Sequence, residues 1–187
     1  MTVRLPPMEM QSMNEAQRQA AEALIAGPRK AVVGPFIALL RSPELLDRMQ
    51  RVGEYLRFRN AIPQKLVELT ILLTARHVDN AFEWVLHQPL ARKEGLAQET
   101  IDAINERRRP ASMSADEAAV HDFVREMLAT NFVGDAAYAS VLERFGEQGV
   151  VDLTGTVGYF VAVCYVMNVA GTPPPQSAAV PLAAIRR

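Results

Sequence analysis

The chain has 187 residues, 49% of them hydrophobic and 22% charged, with a formal net charge of −1 at pH 7. That length and balance predict a single domain over residues 1–187 that buries a core without disulfides or metal. The neutral balance, with no basic stripe interleaved with aromatics, argues against nucleic-acid binding. The lone cysteine, Cys164, excludes an internal disulfide and any CxxC pair. It fits a reducing compartment. The N-terminal MTVRLPPMEMQSMNEAQ has no apolar h-region and no small-residue cleavage site, so a cytoplasmic location is expected.

No segment alternates like a strand, and almost every long one carries helical signals, so an all-α fold is expected. Residues 1–11 read as an extended arm. MNEAQRQAAEALIAG predicts a helix ending at Gly27, with Pro28 just beyond. VGPFIALL predicts a short helix opened by Pro35. SPELLDRMQRVGEYLRF has Ser42 as N-cap, Pro43 at the first helical position and Glu44 behind it. PQKLVELTILLTARHVDNAFEWVLH lies between Pro63 and Pro89 and reads as one helix of about six to seven turns. PLARKEG is a helical turn closed by Gly95. AQETIDAINERRR is a helix stopped by Pro110. SADEAAVHDFVREMLAT opens on a capping box, Ser114 with Glu117. DAAYASVLERFG runs from Asp135 to Gly146, and an apolar helix from Gln148 to Asn168 follows. Its length suggests a membrane span, but Asp152, Thr154, Thr156 and Asn168 and the lack of basic flanks favour a buried core or subunit-interface helix. The proline-rich tail, 171–187, is expected to be extended or to lie on a partner subunit.

The segment 63–87 gathers ionisable groups on an otherwise apolar helix. With Glu68 at zero on a single helical wheel, Glu83 falls at about 60°, Arg76 at about 80° and His87 at about 100°. These four share one stripe. A helix apolar on its other sides is buried, so its charges must pair or face a polar cavity. Two readings fit. Glu68, Arg76 and Glu83 can form a buried ion-pair ladder that fixes helix register, with His87 a satisfied core histidine near a helix end. Alternatively the stripe is a site, with a histidine beside a carboxylate poised for acid–base work and an arginine to hold a substrate carboxylate or enolate oxygen. Spacing alone leaves open whether Glu83 pairs with Arg76 or with His87. Trp84 either packs or walls a pocket. His77 lies at about 180° on the same wheel, and Glu83 with His87 supplies only two ligands, so no metal site is expected.

The stretch ELTILLTARHVDNAFEWVLHQPLARKEGLAQETIDAI resembles the core motif of the carboxymuconolactone decarboxylase and alkylhydroperoxidase-D-like family. The shared pattern is a long helix with a histidine near its end (His87), then Ala91, Gly95 and Leu96, then QETIDAI. In the peroxidase-like branch a CxxC stands seven and four residues before the histidine, with a glutamate nineteen before it. This chain keeps Glu68 and His87 but has Asn80 and Glu83 at the cysteine positions. It therefore lacks the two thiols of peroxide reduction. The Glu83-x-x-x-His87 spacing is similar to the decarboxylase branch. That resemblance implies an oligomeric, trimeric or hexameric, all-helical protein. It also implies a cofactor-independent lyase acting on a small carboxylated lactone. Glu68, Glu83 and His87 would be catalytic, and Arg76, Asn80 and Trp84 would bind substrate. A non-catalytic member that binds a small ligand or serves assembly is the alternative.

Overall fold

The computed structural model describes residues 2–27, 29–176 and 179–183. These form a short 3-10 turn (Met10–Ser12) and eight helices: α1 (Glu15–Ala26), α2 (Pro35–Leu39), α3 (Pro43–Phe58), α4 (Gln64–His77), α5 (Ala81–Lys93), α6 (Gln98–Asn105), α7 (Ala115–Thr130) and α8 (Asp135–Ala170). There is no strand among the described residues. Pro28, expected just past α1, lies outside them.

Helix starts follow local chemistry. Asn14 with Gln17, and Ser114 with Glu117, close capping boxes at α1 and α7. Prolines open α2 and α3, where their missing N–H would be unpaired anyway. Ser42 precedes α3 as expected, but its side chain makes no capping bond.

Helix α4 is the axis of the bundle. Every residue from Leu66 to Arg76 is buried, as befits a helix surrounded by α5, α7 and α8. Helix α8 has the length and apolarity to cross a bilayer, but here it packs on α2, α3, α4 and α7. Its buried Asp152 accepts hydrogen bonds from the Tyr55 hydroxyl (3.1 Å) and the Ala61 N–H (2.9 Å), which ties α8 to α3 and to the connection between α3 and α4. The two helices expected on either side of Gly146 join as one kinked element. Gly146 has a φ of 66°, a conformation natural to glycine. A second, smaller apolar cluster, including Leu24, Phe36, Leu39 and Leu46, joins α1, α2 and the start of α3.

The expected single helix over 63–87 is corrected to two. Helix α4 ends at His77, Asp79 turns left-handed (φ 52°), and α5 begins after Asn80. Asn80 caps α5 by accepting the Glu83 N–H at 2.8 Å. Its amide donates to the Cys164 carbonyl (3.2 Å) and the Asn168 side chain (2.8 Å). Asp79 is gripped by Arg76 and by Arg107, the latter at 3.0 Å. In one straight helix Glu68 and His87 would stand roughly 28 Å apart at 1.5 Å per residue. The reversal folds α5 back on α4 and brings them into contact.

Two smaller differences follow. Helix α5 runs through Pro89 to Lys93, where a stop or kink and a separate turn were expected. The proline removes one backbone donor without ending the helix. The described part of the C-terminal tail lies on its own chain. The Val180 carbonyl accepts from Trp84 Nε1 (2.9 Å) and Gln88 Nε2 (2.7 Å), and Asn105 bonds Pro181 and Ala183. The tail residues 177, 178 and 184–187 lie outside the described residues.

Candidate active site

His87 is the centre of a buried triad. It is 1% exposed. Its Nδ1 lies 2.6 Å from Glu68 Oε2 and its Nε2 lies 3.0 Å from Glu83 Oε2. Glu68 reaches across from α4, while Glu83 sits one turn earlier on α5, the i,i+4 neighbour of His87. Gln64 donates to the other Glu68 oxygen at 3.1 Å. The Phe160 ring meets the imidazole edge-to-face, with centroids 5.7 Å apart.

Burial of His87 works against its charged form. Hydrogen bonds and charges from Glu68 and Glu83 outweigh that penalty, so its pKa is raised above the ordinary 6.5. When protonated, the imidazole donates to a carboxylate on each side. Both ring nitrogens are thereby engaged, and no set of three ligand side chains is arranged for a metal among the described residues.

Glu83 and His87 form one face of a small cleft of about 60 Å³, where they meet Arg29, Arg57, Tyr159 and Phe160. The cleft lies where the N-terminal apolar cluster abuts the main bundle. Arg29 follows α1, Arg57 ends α3 and Tyr159 belongs to α8. Arg29 stacks on the Phe36 ring at 4.4 Å. Burial lowers the Arg29 pKa, opposed by the nearby Tyr159 and Glu83. Burial pushes the Tyr159 phenol up, opposed by the positive charges of Arg29 and Arg57. Gly53 makes room for that phenol, since a Cβ there would lie 2.2 Å from Tyr159 Oη.

Glu68, Glu83 and His87 are thus brought together, and Glu83 pairs with His87 rather than with Arg76. The three residues expected to bind substrate are not in the cleft. Arg76 donates to the Asn105 carbonyl (2.8 Å), pairs with Asp79, and lines a different cavity beside His77 and His121. Asn80 is spent on capping α5. Trp84 is fully buried with its N–H bonded to the tail. The reversal at 78–80 is the reason, because the single-helix wheel does not apply across it. Arg29, Arg57 and Tyr159 are the cleft residues that sequence reasoning missed. Cys164 is buried on α8, and burial together with the charge of Glu83 raises its thiol pKa.

No protein-family model matches the chain, and no curated protein matches it. Solved structures do. The alkylhydroperoxidase AhpD core of an uncharacterized peroxidase-related protein from Ralstonia eutropha JMP134 superposes with a TM-score of 0.73 at 17% identity, covering 94% of each chain. A protein of unknown function from Agrobacterium tumefaciens, suggested to be the antioxidant-defence protein AhpD, gives 0.66 at 18% identity over 74% of this chain and 96% of its own. The chain therefore has the all-helical AhpD-like fold.

Proposed function

We propose that this chain is a carboxymuconolactone decarboxylase-like lyase, acting without a cofactor on a small carboxylated lactone. The observation that carries this reading is the Glu68–His87–Glu83 triad. It supports a carboxylate at the position where the resembled peroxidase branch has a thiol. In the reaction the bond between the lactone ring and its carboxylate breaks and CO₂ leaves. The electron pair stays on the ring and spreads toward the lactone carbonyl, and a proton is then delivered to carbon. With His87 protonated, its Nε2 proton passes through the Glu83 carboxylate, which reaches the cleft, to the ring carbon, while Glu68 on Nδ1 holds the imidazole in place. The burial of the triad strengthens each of these interactions.

The fold neighbours connected with peroxidase chemistry suggest peroxide reduction instead. The absence of a thiol pair and the raised Cys164 pKa weigh against it. The exposed Val151, Tyr165 and Val169 on α8 support a homo-oligomer, trimer or hexamer, that covers this face. Sedimentation as a monomer would contradict that part. The free thiol is in keeping with a cytoplasmic setting.

The test is incubation with a panel of carboxylated γ-lactones, carboxymuconolactone among them, following CO₂ release for the wild type, Glu83→Gln and His87→Ala. Turnover by the wild type that falls by roughly 10²–10⁴ in the variants supports the assignment. Absence of turnover on every lactone removes the lyase and leaves a small-ligand-binding or assembly role.

A further inference from the structure

The cleft holds more positive charge than its own carboxylates match. Beside the triad stand two guanidinium groups. With His87 protonated, the two arginines, the imidazolium and the two glutamates leave one positive charge unanswered. The geometry says the same. Arg29 Nε and Nη2 and Arg57 Nε are buried and have no hydrogen-bond partner among the described residues. Buried charged donors left unpaired are costly, and two adjacent guanidiniums repel. Neighbouring acids are committed elsewhere: Glu83 to His87 (3.0 Å) and Glu54 to Arg59 (3.3 Å). Each guanidinium also lies over an aromatic ring, Arg29 over Phe36 and Arg57 over Phe58, at 4.4 and 4.9 Å from the ring centroids. Two guanidinium groups lining one small space, with buried donors left unpaired, form a preorganised anion seat.

We propose that Arg29 and Arg57, with the Tyr159 phenol beside them, bind a carboxylate group of the substrate. This rests on the lyase reading for the word substrate; the anion seat itself does not. A cleft of about 60 Å³ is far below the roughly 300 Å³ of ordinary ligand pockets, so it takes a carboxylate and the adjoining ring edge. A net single positive charge suits a monoanionic head, and the planar fork of arginine suits a carboxylate. The carboxylate seated here is not the one lost as CO₂. Strong binding of the departing group would stabilise the ground state more than the transition state.

The experiment is calorimetric titration with 2-furoate, a flat five-membered-ring carboxylate, and with the neutral 2-furamide. The wild type, Arg29→Met, Arg57→Met and the charge-retaining Arg57→Lys are compared, with thermal melts confirming that each is folded. Furoate binding by the wild type, with furamide and each methionine variant weaker by about tenfold or more and Arg57→Lys intermediate, supports the seat. Equal binding of acid and amide, no binding of furoate, or binding indifferent to both methionine substitutions overturns it. The acid-against-amide comparison uses only the wild type, so a misfolded variant does not blunt the test. Furoate binding without lactone turnover would sink the lyase and keep the seat. Turnover of a dicarboxylated lactone with KM unmoved in both methionine variants would do the reverse.

Discussion

Replacing Glu68 by glutamine isolates the role of the buried clamp. Glu68 and His87 are 2% and 1% exposed and stand 2.6 Å apart. Glutamine keeps the shape and an acceptor oxygen but removes the charge. A hydrogen bond to a charged group is worth about 1.5–3 kcal/mol, and losing one partner of a buried pair outright costs about 3–5. The isosteric change should fall in the lower range, which a domain stable by roughly 5–15 kcal/mol survives folded. The sign with pH follows from the raised pKa of His87. The stability tied to its proton is fully present below the unfolded value, about 6.5. It is lost as pH rises through the higher folded value. Urea denaturation of wild type and Glu68→Gln should thus differ most near pH 6, below about 6.5, and less as pH rises through the raised folded value. NMR of the imidazole should report a lower His87 pKa in the variant. A stability difference that is flat or grows with pH, or an unmoved His87 titration, would refute the charged clamp.

Gly53→Ala places a Cβ 2.2 Å from Tyr159 Oη and 2.4 Å from Cζ. It should cost roughly 1–3 kcal/mol by overpacking, read as a lower Tm, and weaken furoate binding by displacing the phenol. Asn80→Ala removes the α5 cap and two donors to α8. A loss of roughly 1–3 kcal/mol is expected, with lower turnover because α5 carries Glu83 and His87. Arg76→Met should lower stability by roughly 1–3 kcal/mol while turnover per folded molecule is unchanged. A turnover defect like that of Glu83→Gln would return Arg76 to the site. Turnover, where found, should decline as pH rises through the raised His87 pKa, since a protonated imidazole supplies the proton.

Most helices were readable because their starts are local. Asn14, Ser114, Pro35 and Pro43 each mark an end within a few residues. The chemistry-bearing trio was readable as residue types, but its contact was not derivable from the wheel that suggested it. Proline bounds at 63 and 89 with no glycine between them disguised the reversal. The local clue was Asn80 three residues before Glu83, an N-cap pattern inside an apolar run. What holds the reversal is distant in sequence: Arg107 on Asp79, and Asn168 and Cys164 on Asn80. Arg57 also left a trace. It falls about 20° from Leu46 on the α3 wheel, so it is an arginine on the buried face. Arg29 sits outside any helix, where periodicity says nothing, and only the packing of the segment after α1 on α8 brings it to the cleft.

Carboxymuconolactone turned over in D₂O and followed by NMR tests the central claim most directly. The account predicts CO₂ release with one deuteron delivered to ring carbon, slowed by roughly 10²–10⁴ in Glu83→Gln and His87→Ala. Release that persists undiminished in both variants, or an unchanged lactone alongside consumption of added peroxide, would contradict it.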